Sequence, residues 1–118
     1  ALGHVVTVNK NGTPQVTLVW MDVHNGKPAF NTNTTRLKGR NLARDARVVV
    51  SVQDPDSPGE YAVITGNAIV TPDPKLEHIN SVARKFTGGD YANLQPGEER
   101  IVVDIDVTRV GGRGPWVS

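Results

Sequence analysis

Two Asn-Gly pairs constrain the fold of this chain more than any other feature of its sequence. Asn11-Gly12 and Asn25-Gly26 each stand between two stretches with an alternating or apolar pattern. Asn-Gly is the strongest short signal for a β-hairpin, because both residues tolerate a positive φ. The flanking stretches predict strands at residues 4–8, 15–23 and 28–32. We therefore expect an antiparallel meander of three strands at the start of the chain.

Two short helices are predicted further along. Thr34 or Thr35 can cap the first helix, which runs to about residue 43. Asp73 is the expected cap of the second helix, whose apolar residues recur at helical spacing on one face. Gly88-Gly89 ends that second stripe.

Three more strands are predicted, at residues 47–52, 61–70 and 101–108. Gly66 interrupts the second of them and reads as a bulge where a barrel bends. The total is six strands and two short helices in a single domain that spans the 118 residues. Such a mainly-β chain predicts a closed or nearly closed antiparallel barrel, because closure removes exposed strand edges.

The strand at residues 15–23 is apolar on both faces. Val16, Leu18 and Trp20 alternate with Val19 and Met21 on the other side. A barrel this small has one interior, in which we expect Trp20, so the second apolar face needs another cover. This pattern predicts a dimer.

Composition excludes several classes of protein. The net charge is +1, with 13 basic and 12 acidic residues, whereas chains that coat nucleic acid usually carry a large basic excess. The absence of cysteine excludes disulfides and thiolate metal ligands. No apolar run approaches the roughly 20 residues of a transmembrane helix. We expect a cytoplasmic protein that binds neither nucleic acid nor membrane.

The segment at residues 31–44 is the strongest candidate site. A strand ends in hydroxyl and amide side chains, and a basic helix then begins with Arg36 and Lys38 near its first turn. The free N–H groups of a helix start favour phosphate, whereas cations there oppose the helix dipole unless an anion neutralises them. Arg40 and Arg44 continue the basic face. The segment is either a phosphate site or a solvated basic face, and the polar strand end favours phosphate.

The remaining polar residues suggest no second site. His4, His24 and His78 have no metal-ligand spacing, so no metal is expected. Asp104 and Asp106 share one face of an alternating strand and are expected to face solvent.

A family resemblance covers nearly the whole chain. It is carried by Thr13-Pro14-Gln15, Val19-Trp20, Phe30-Asn31-Thr32, Arg36-x-Lys38-x-x-Asn41-Leu42-x-Arg44-Asp45-x-Arg47-Val48, Tyr61 and Gly66-Asn67-Ala68. This pattern resembles the pyridoxamine 5′-phosphate oxidase-like split-barrel flavoproteins, and within them the branch of probable coenzyme F-420-dependent enzymes, which use a deazaflavin. Ala46 stands where proline is common in that family. The helix that usually precedes the first strand is absent, so we expect that an upstream segment is missing.

The resemblance implies a six-stranded split barrel that works as a homodimer with two cofactors at its interface. Arg36 and Lys38 would hold the cofactor phosphate. Val52, Gln53 and Trp116 would approach from the other subunit, although the Gly-rich tail with Trp116 is equally compatible with disorder. The full set of implied cofactor-binding residues is Thr17, Leu18, Val19, Asn31, Thr32, Arg36, Lys38, Asn41, Val52, Gln53 and Trp116.

The implied function is a deazaflavin-dependent oxidoreductase that transfers a hydride between coenzyme F-420 and a conjugated organic substrate. The cofactor carries that chemistry, so no catalytic side chain is expected. The alternatives are an FMN-binding oxidase or reductase of the pyridoxamine phosphate oxidase type, or a non-catalytic flavin- or haem-binding protein.

Overall fold

The computed structural model describes residues 1–115, which form seven strands and two helices. In chain order these are β1 (Leu2–Val8), β2 (Pro14–Trp20), β3 (Asp22–His24), β4 (Lys27–Asn33), α1 (Leu37–Arg44), β5 (Arg47–Gln53), β6 (Tyr61–Pro72), α2 (Glu77–Thr87) and β7 (Arg100–Arg113). The mainly-β class with two short helices is confirmed.

All seven strands belong to one antiparallel sheet with the order β2-β1-β5-β6-β7-β4-β3. Strands β2 and β3 lie at opposite edges of this sheet, yet only Met21 separates them in the chain. The sheet must therefore curl until its two edges approach each other, which gives a half-barrel. The predicted count of six strands is wrong.

The extra strand arises because the stretch at residues 15–23 is two strands. Trp20 pairs with β1, whereas Asp22 pairs with β4 at the other edge of the sheet. Between them, the buried Met21 donates its N–H to the Ala1 carbonyl over 2.7 Å. The predicted three-stranded meander is thus wrong, since the chain crosses between edges at Met21. The alternating pattern runs unbroken through this point and gives no sign of the crossing.

Both Asn-Gly hairpins are confirmed. The turn between β1 and β2 has Gly12 at φ +87°. The turn between β3 and β4 has Asn25 at φ +53° and Gly26 at φ +73°. These positive φ values are the reason for glycine and asparagine at these positions.

The hydrophobic core is built by inward-facing residues of the strands and by Leu42 of α1. It comprises Val5, Val19, Met21, Phe30, Leu42, Val48, Val50, Ile101, Val103 and Ile105. Phe30 is the largest side chain that is fully buried, and it lies on β4 next to the candidate site. The core thus makes a rigid support for the strand that ends at the site.

The long β6–β7 pair contains the predicted bulge. One prediction about β7, the exposure of Asp104, is wrong. The register shifts between Thr65 and Gly66, and a Cβ at Gly66 would overlap the Asp106 carbonyl oxygen. Asp106 faces solvent as predicted, with 65% of its side chain exposed. Asp104 does not, because its carboxylate is buried against the His24 ring at 2.8 Å.

Helix α1 is capped by a different residue from those predicted. Thr34 and Thr35 do not cap it. The N-cap residue is Arg36, which makes no side-chain cap hydrogen bond. Asn33 Oδ1 accepts hydrogen bonds from the amides of Thr35 at 3.1 Å and Arg36 at 2.8 Å, just ahead of the helix. These two hydrogen bonds tie the segment before α1 directly to the end of β4.

Helix α2 begins at Glu77 with Leu76 as its N-cap residue, so Asp73 does not occupy the predicted cap position. The Asp73 carboxylate accepts hydrogen bonds from the amides of His78 at 3.2 Å and Ile79 at 3.0 Å. Gly88 ends the helix with φ +83°. Across residues 1–115, neither helix has the length and apolar character needed to cross a membrane.

Candidate functional site

A narrow cleft lies where the end of β4 meets both helices. Its volume is about 100 Å³. The lining residues are Leu18, Val19, Trp20, Asn31, Thr32, Arg36, Lys38, Ile79, Val82, Tyr91 and Arg100. One wall is apolar and comes from β2 and α2, whereas the opposite wall carries three cations. The cleft coincides with the polar strand end and basic helix that the sequence singled out.

Lys38 is the most unusual of these cations, because only 6% of it is exposed. Burial lowers the pKa of its amine, and the nearby charges of Arg36 and Arg100 lower that pKa further. Within residues 1–115, no carboxylate forms an ion pair with Lys38 or Arg36. A buried cation without a counter-charge costs free energy, so this wall suits an anionic ligand.

Gly39 explains how Lys38 is carried into the cleft. A Cβ at Gly39 would overlap the carbonyl oxygen of Asn33, so α1 packs directly on the end of β4. Any larger residue would push the first turn of the helix away from the strand. The close approach buries Lys38 beside Thr32 instead of leaving it in solvent.

Two hydroxyl groups near the β2 and β4 strands lack partners. Among residues 1–115, Thr17 Oγ1 and Thr32 Oγ1 are buried without a hydrogen bond. Thr32 is 1% exposed and lines the cleft, whereas Thr17 lies on the neighbouring part of β2. An unsatisfied buried hydroxyl is costly and rare, so a ligand atom at Thr32 accounts for it. An unpaired Thr32 hydroxyl beside an unpaired Lys38 ammonium fits a phosphate oxygen.

Arg100, at the start of β7, is a cleft residue that sequence reasoning missed. Its guanidinium lies over the Tyr91 ring at 4.9 Å and pairs with Glu98 at 2.7 Å. The pattern of β7 gave no signal for it, because Arg100 simply precedes an alternating apolar run. Only the pairing of β7 with β4 brings it to the cleft.

Glu98 links this arginine to the start of α1. It accepts hydrogen bonds from Asn33 Nδ2 and Arg100 Nη1. Burial alone would raise the pKa of Glu98, but hydrogen bonds from Asn33, the Gln95 amide and Arg100 outweigh it and lower the pKa to about 2. Glu98 is therefore ionised at neutral pH and balances one of the three cations.

A second buried polar group lies behind the cleft, beside α2. The His24 and His78 rings meet edge to face with centroids 4.9 Å apart, although the sequence had suggested that the histidines were scattered. His24 Nδ1 lies 2.8 Å from Asp104, and His78 Nε2 lies 3.3 Å from Asp22. Across residues 1–115, no cluster of such side chains has the arrangement of a metal site. We call these four residues the His–Asp cluster.

Six of the eleven predicted cofactor-binding residues line the cleft. They are Leu18, Val19, Asn31, Thr32, Arg36 and Lys38. Asn41 lies elsewhere, and its buried amide donates to Thr7 and Asn9 at 3.0 Å each. Val52 packs against the core, and Gln53 donates to the Pro58 carbonyl at 2.9 Å. Trp116 lies outside the described residues.

A larger apolar groove of about 760 Å³ adjoins the cleft and shares Leu18 and Trp20 with it. We expected Trp20 in the core, but it lies outside the core cluster. It stacks on Phe86 of α2, with ring centroids 5.2 Å apart and planes 9° from parallel. The remaining lining residues are Ala1, Leu2, His4, Ser51, Gln53, Pro55, Pro58 and Tyr61. An apolar groove beside a cationic cleft suits a ligand with one flat apolar end and one anionic end.

The curled antiparallel sheet, the helix on the end of β4 and the cation-lined cleft together define a split-barrel protein of the flavin-binding class. The family model for pyridoxamine 5′-phosphate oxidase matches residues 2–113, and the chain belongs to this family. The family contains oxidoreductases. Among curated proteins, none matches this chain in sequence.

Solved structures are similar over most of the chain. An F420 reductase superposes with a TM-score of 0.81 at 28% identity, covering 93% of this chain and 88% of its own. The conserved hypothetical protein Rv2991 from Mycobacterium tuberculosis has a TM-score of 0.75 at 25% identity, covering 94% and 75%. A pyridoxamine 5′-phosphate oxidase-related FMN-binding protein from Nostoc punctiforme shares the fold, with a TM-score of 0.69 at 12% identity and coverage of 92% and 71%.

Proposed function

We propose that this protein is a deazaflavin-dependent oxidoreductase that uses coenzyme F-420 to reduce a conjugated organic substrate. The observation that carries the proposal is the buried, unpaired Lys38 beside Arg36 in a cleft that opens next to an apolar groove. The similarity to an F420 reductase at 28% identity supports the choice of cofactor.

In this proposal the cationic wall of the cleft holds the cofactor phosphate. Lys38 and Arg36 each donate a charge-assisted hydrogen bond, and the Thr32 hydroxyl donates a third. Phosphate relieves the two costs that this wall carries, namely the buried, unpaired Lys38 ammonium and the unsatisfied Thr32 hydroxyl. The Lys38 ammonium then has its counter-charge in a site that largely excludes water.

The flat end of the cofactor lies along β2, against Leu18 and Val19, toward the groove formed by Trp20. When bound, the deazaflavin supplies or accepts the hydride, so the protein needs no acid or base for that step. The residues of this chain bind the cofactor, orient its ring against one open face and exclude water. Among residues 1–115, no side-chain carboxylate, lysine or arginine lines the groove, so it admits an uncharged and largely apolar substrate.

The active unit in this proposal is a homodimer. Val16 and Leu18 on the outer face of β2 are 56% and 55% exposed, and Leu2 on β1 is 51% exposed. Covering such a face with a second copy contributes roughly 25 cal/mol per Å² of apolar surface. Val52, Gln53 and Trp116 then contribute to the cofactor site of the other protomer. Sedimentation with cofactor present should give a dimer, and a monomer at micromolar concentration contradicts this part.

FMN is the second candidate cofactor, because Arg36 and Lys38 suit its phosphate equally well. The deazaflavin carries an additional acidic tail, and a second groove beside α1 is lined by three more cations, Lys10, Arg40 and Arg44. Parallel titrations followed by absorbance should give tighter binding of coenzyme F-420 than of FMN. Equal or tighter binding of FMN reverses the cofactor assignment and leaves the fold unaffected.

Turnover tests the catalytic part. Reduced coenzyme F-420 should be oxidised when enones or quinones are added to the protein, and Lys38→Ala should slow this at limiting cofactor. A protein that binds the reduced cofactor but reduces none of these compounds is a carrier rather than an enzyme.

A further inference from the structure

We infer that Arg100 is a third anion-binding residue of the cleft and makes it selective for a phosphate group. This inference rests on the proposed function, in which the cleft holds the cofactor phosphate. It assigns a binding role to a residue at the start of β7, outside the Arg-x-Lys motif of α1.

The guanidinium of Arg100 is fixed by three neighbours. Its Nε donates to Asn31 Oδ1 over 2.8 Å, its Nη1 donates to Glu98 over 2.7 Å, and its plane lies over the Tyr91 ring at 4.9 Å. Only 4% of the side chain is exposed. In the described part of the chain, no group accepts a hydrogen bond from Nη2, and the residue lines the cleft with Lys38. A donor that is held rigid and has no partner is prepared for a ligand atom.

Asn31 is itself held in one orientation. Its Oδ1 must face Arg100, because a guanidinium offers only donors. Its Nδ2 therefore donates to Asp73 over 3.1 Å and to His78 Nδ1 over 2.9 Å, both on the α2 side. The orientation of the Arg100 guanidinium is consequently fixed from two sides. Asn31 links it to α2, and Glu98 links it to the segment before β7.

The charges of the cleft suit a phosphate group, and most closely the phosphate monoester of FMN, which serves as the probe. Arg36, Lys38 and Arg100 are cations, and Glu98 is the one carboxylate paired with them in the described residues, so two positive charges are in excess. A phosphate monoester carries about −1.5 to −2 at pH 7. A neutral hydroxyl at the same place would leave both charges and the Arg100 donor without a partner. The cleft should therefore discriminate strongly between a ligand with the phosphate and one without it.

FMN and riboflavin test this, because they differ only by the phosphate. The measured quantity is the ratio of their Kd values for the full chain, by fluorescence titration. Arg100→Gln should lower the preference for FMN by roughly ten- to a hundredfold, the worth of one charge-assisted hydrogen bond. Arg100→Lys should lower it less, because the charge remains while the planar fork is lost.

The double variant Glu98→Gln/Arg100→Gln separates a direct hydrogen bond from a general effect of charge. It keeps the excess of two positive charges and leaves no unpaired carboxylate, so it also serves if Arg100→Gln fails to fold. We expect it to lose the FMN preference as strongly as the single variant does. A double variant with the wild-type ratio overturns the role of Arg100.

Lys38→Ala distinguishes failure of this inference from failure of the proposed function. If Lys38→Ala loses the FMN preference while the double variant keeps it, the phosphate site stands and Arg100 has no part in it. If wild-type protein shows no preference for FMN over riboflavin, the phosphate site itself is wrong, and the role of Arg100 falls with it.

Discussion

The two polar regions beside β4 bury charged groups in opposite ways. In the His–Asp cluster each ring nitrogen that faces a carboxylate lies within 3.3 Å of it, and Lys85 approaches Asp22 from outside at 3.7 Å. In the cleft, Lys38 and Arg36 have no such partner among residues 1–115, and the hydroxyl of Thr32 has none either. The regions are joined through Asn31, which contacts both Arg100 and His78.

This difference separates a structural role from a binding role. A fully partnered buried network rigidifies the fold, and removing one member leaves the others unsatisfied. A buried cation without a partner weakens the fold until a ligand arrives. Substitutions in the cluster should therefore reduce stability, whereas substitutions of Lys38 and Arg36 should reduce ligand binding.

The largest effect is expected for Asp73→Ala, next to the His–Asp cluster, because Asp73 holds the amide of His78 and the side chain of Asn31. Its carboxylate accepts from the amides of His78 and Ile79 and from Asn31 Nδ2, all buried or partly buried. Removing it leaves these donors unsatisfied and should lower the free energy of unfolding by about 3 kcal/mol in denaturant titration. The exposed Asp56 is the matched control, and Asp56→Ala should change little. Equal effects of the two substitutions would show that the network is not stabilising.

Lys38→Ala and Arg36→Ala should give the reverse pattern. Each should weaken cofactor binding by roughly ten- to a hundredfold, since each removes a charge-assisted hydrogen bond. Stability without cofactor should stay constant or rise, because repulsion within the cluster of cations is relieved. Lys10 faces the other groove, so Lys10→Ala controls for a general loss of positive charge.

Salt provides an independent check on the same two residues. Added salt should weaken cofactor binding by wild-type protein more than by the Arg36→Ala/Lys38→Ala double variant, because screening acts on charges that the variant lacks. Single variants that bind cofactor as wild type does would remove the phosphate assignment.

Glu98→Gln should have a smaller effect that depends on pH. Because the pKa of Glu98 is lowered to about 2 in the folded protein, its contribution is complete above the unfolded pKa of about 4.3 and is lost as the pH falls toward 2. We expect the variant to lose about 1.5 kcal/mol at pH 7 and nearly nothing near pH 2. Thermal melting between these pH values measures this, and a constant difference would contradict it.

Much of the fold was predictable because its signals are local. The Asn-Gly turns and the Gly66 bulge each depend on a few adjacent residues, and both are confirmed. The break at Met21 was not predictable, because it is decided by pairing with two strands that are distant in the chain.

The site divides in the same way. Arg36 and Lys38 belong to one short segment, so their joint position in the cleft could be predicted from it. Arg100 and Asn31 are 69 residues apart, and their hydrogen bond exists only because β4 pairs with β7. The prediction that Asp104 faces solvent failed for the same reason, because its partner His24 comes from a strand that is distant in the chain.

Asp45→Asn should have the smallest effect, although the pKa of Asp45 is also lowered to about 2. The cause is local, because hydrogen bonds from the side chain and amide of the exposed Arg47 stabilise the carboxylate of Asp45, whose side chain is 24% exposed. Water and salt screen such a pair, whereas Glu98 has only 5% of its side chain exposed.

The pKa values of Asp45 and Glu98 are both lowered, so their contributions to stability are lost in the same acid range. We expect Glu98→Gln to flatten the fall in melting temperature below about pH 4.5, and Asp45→Asn to leave it nearly as steep as in wild type. Added salt should erase the remaining effect of Asp45→Asn while preserving that of Glu98→Gln, because a buried pair is screened much less. If the two substitutions flatten the fall in melting temperature equally, burial does not increase the contribution of Glu98 to stability. The contrast between buried and partly exposed charges in this protein would then be wrong.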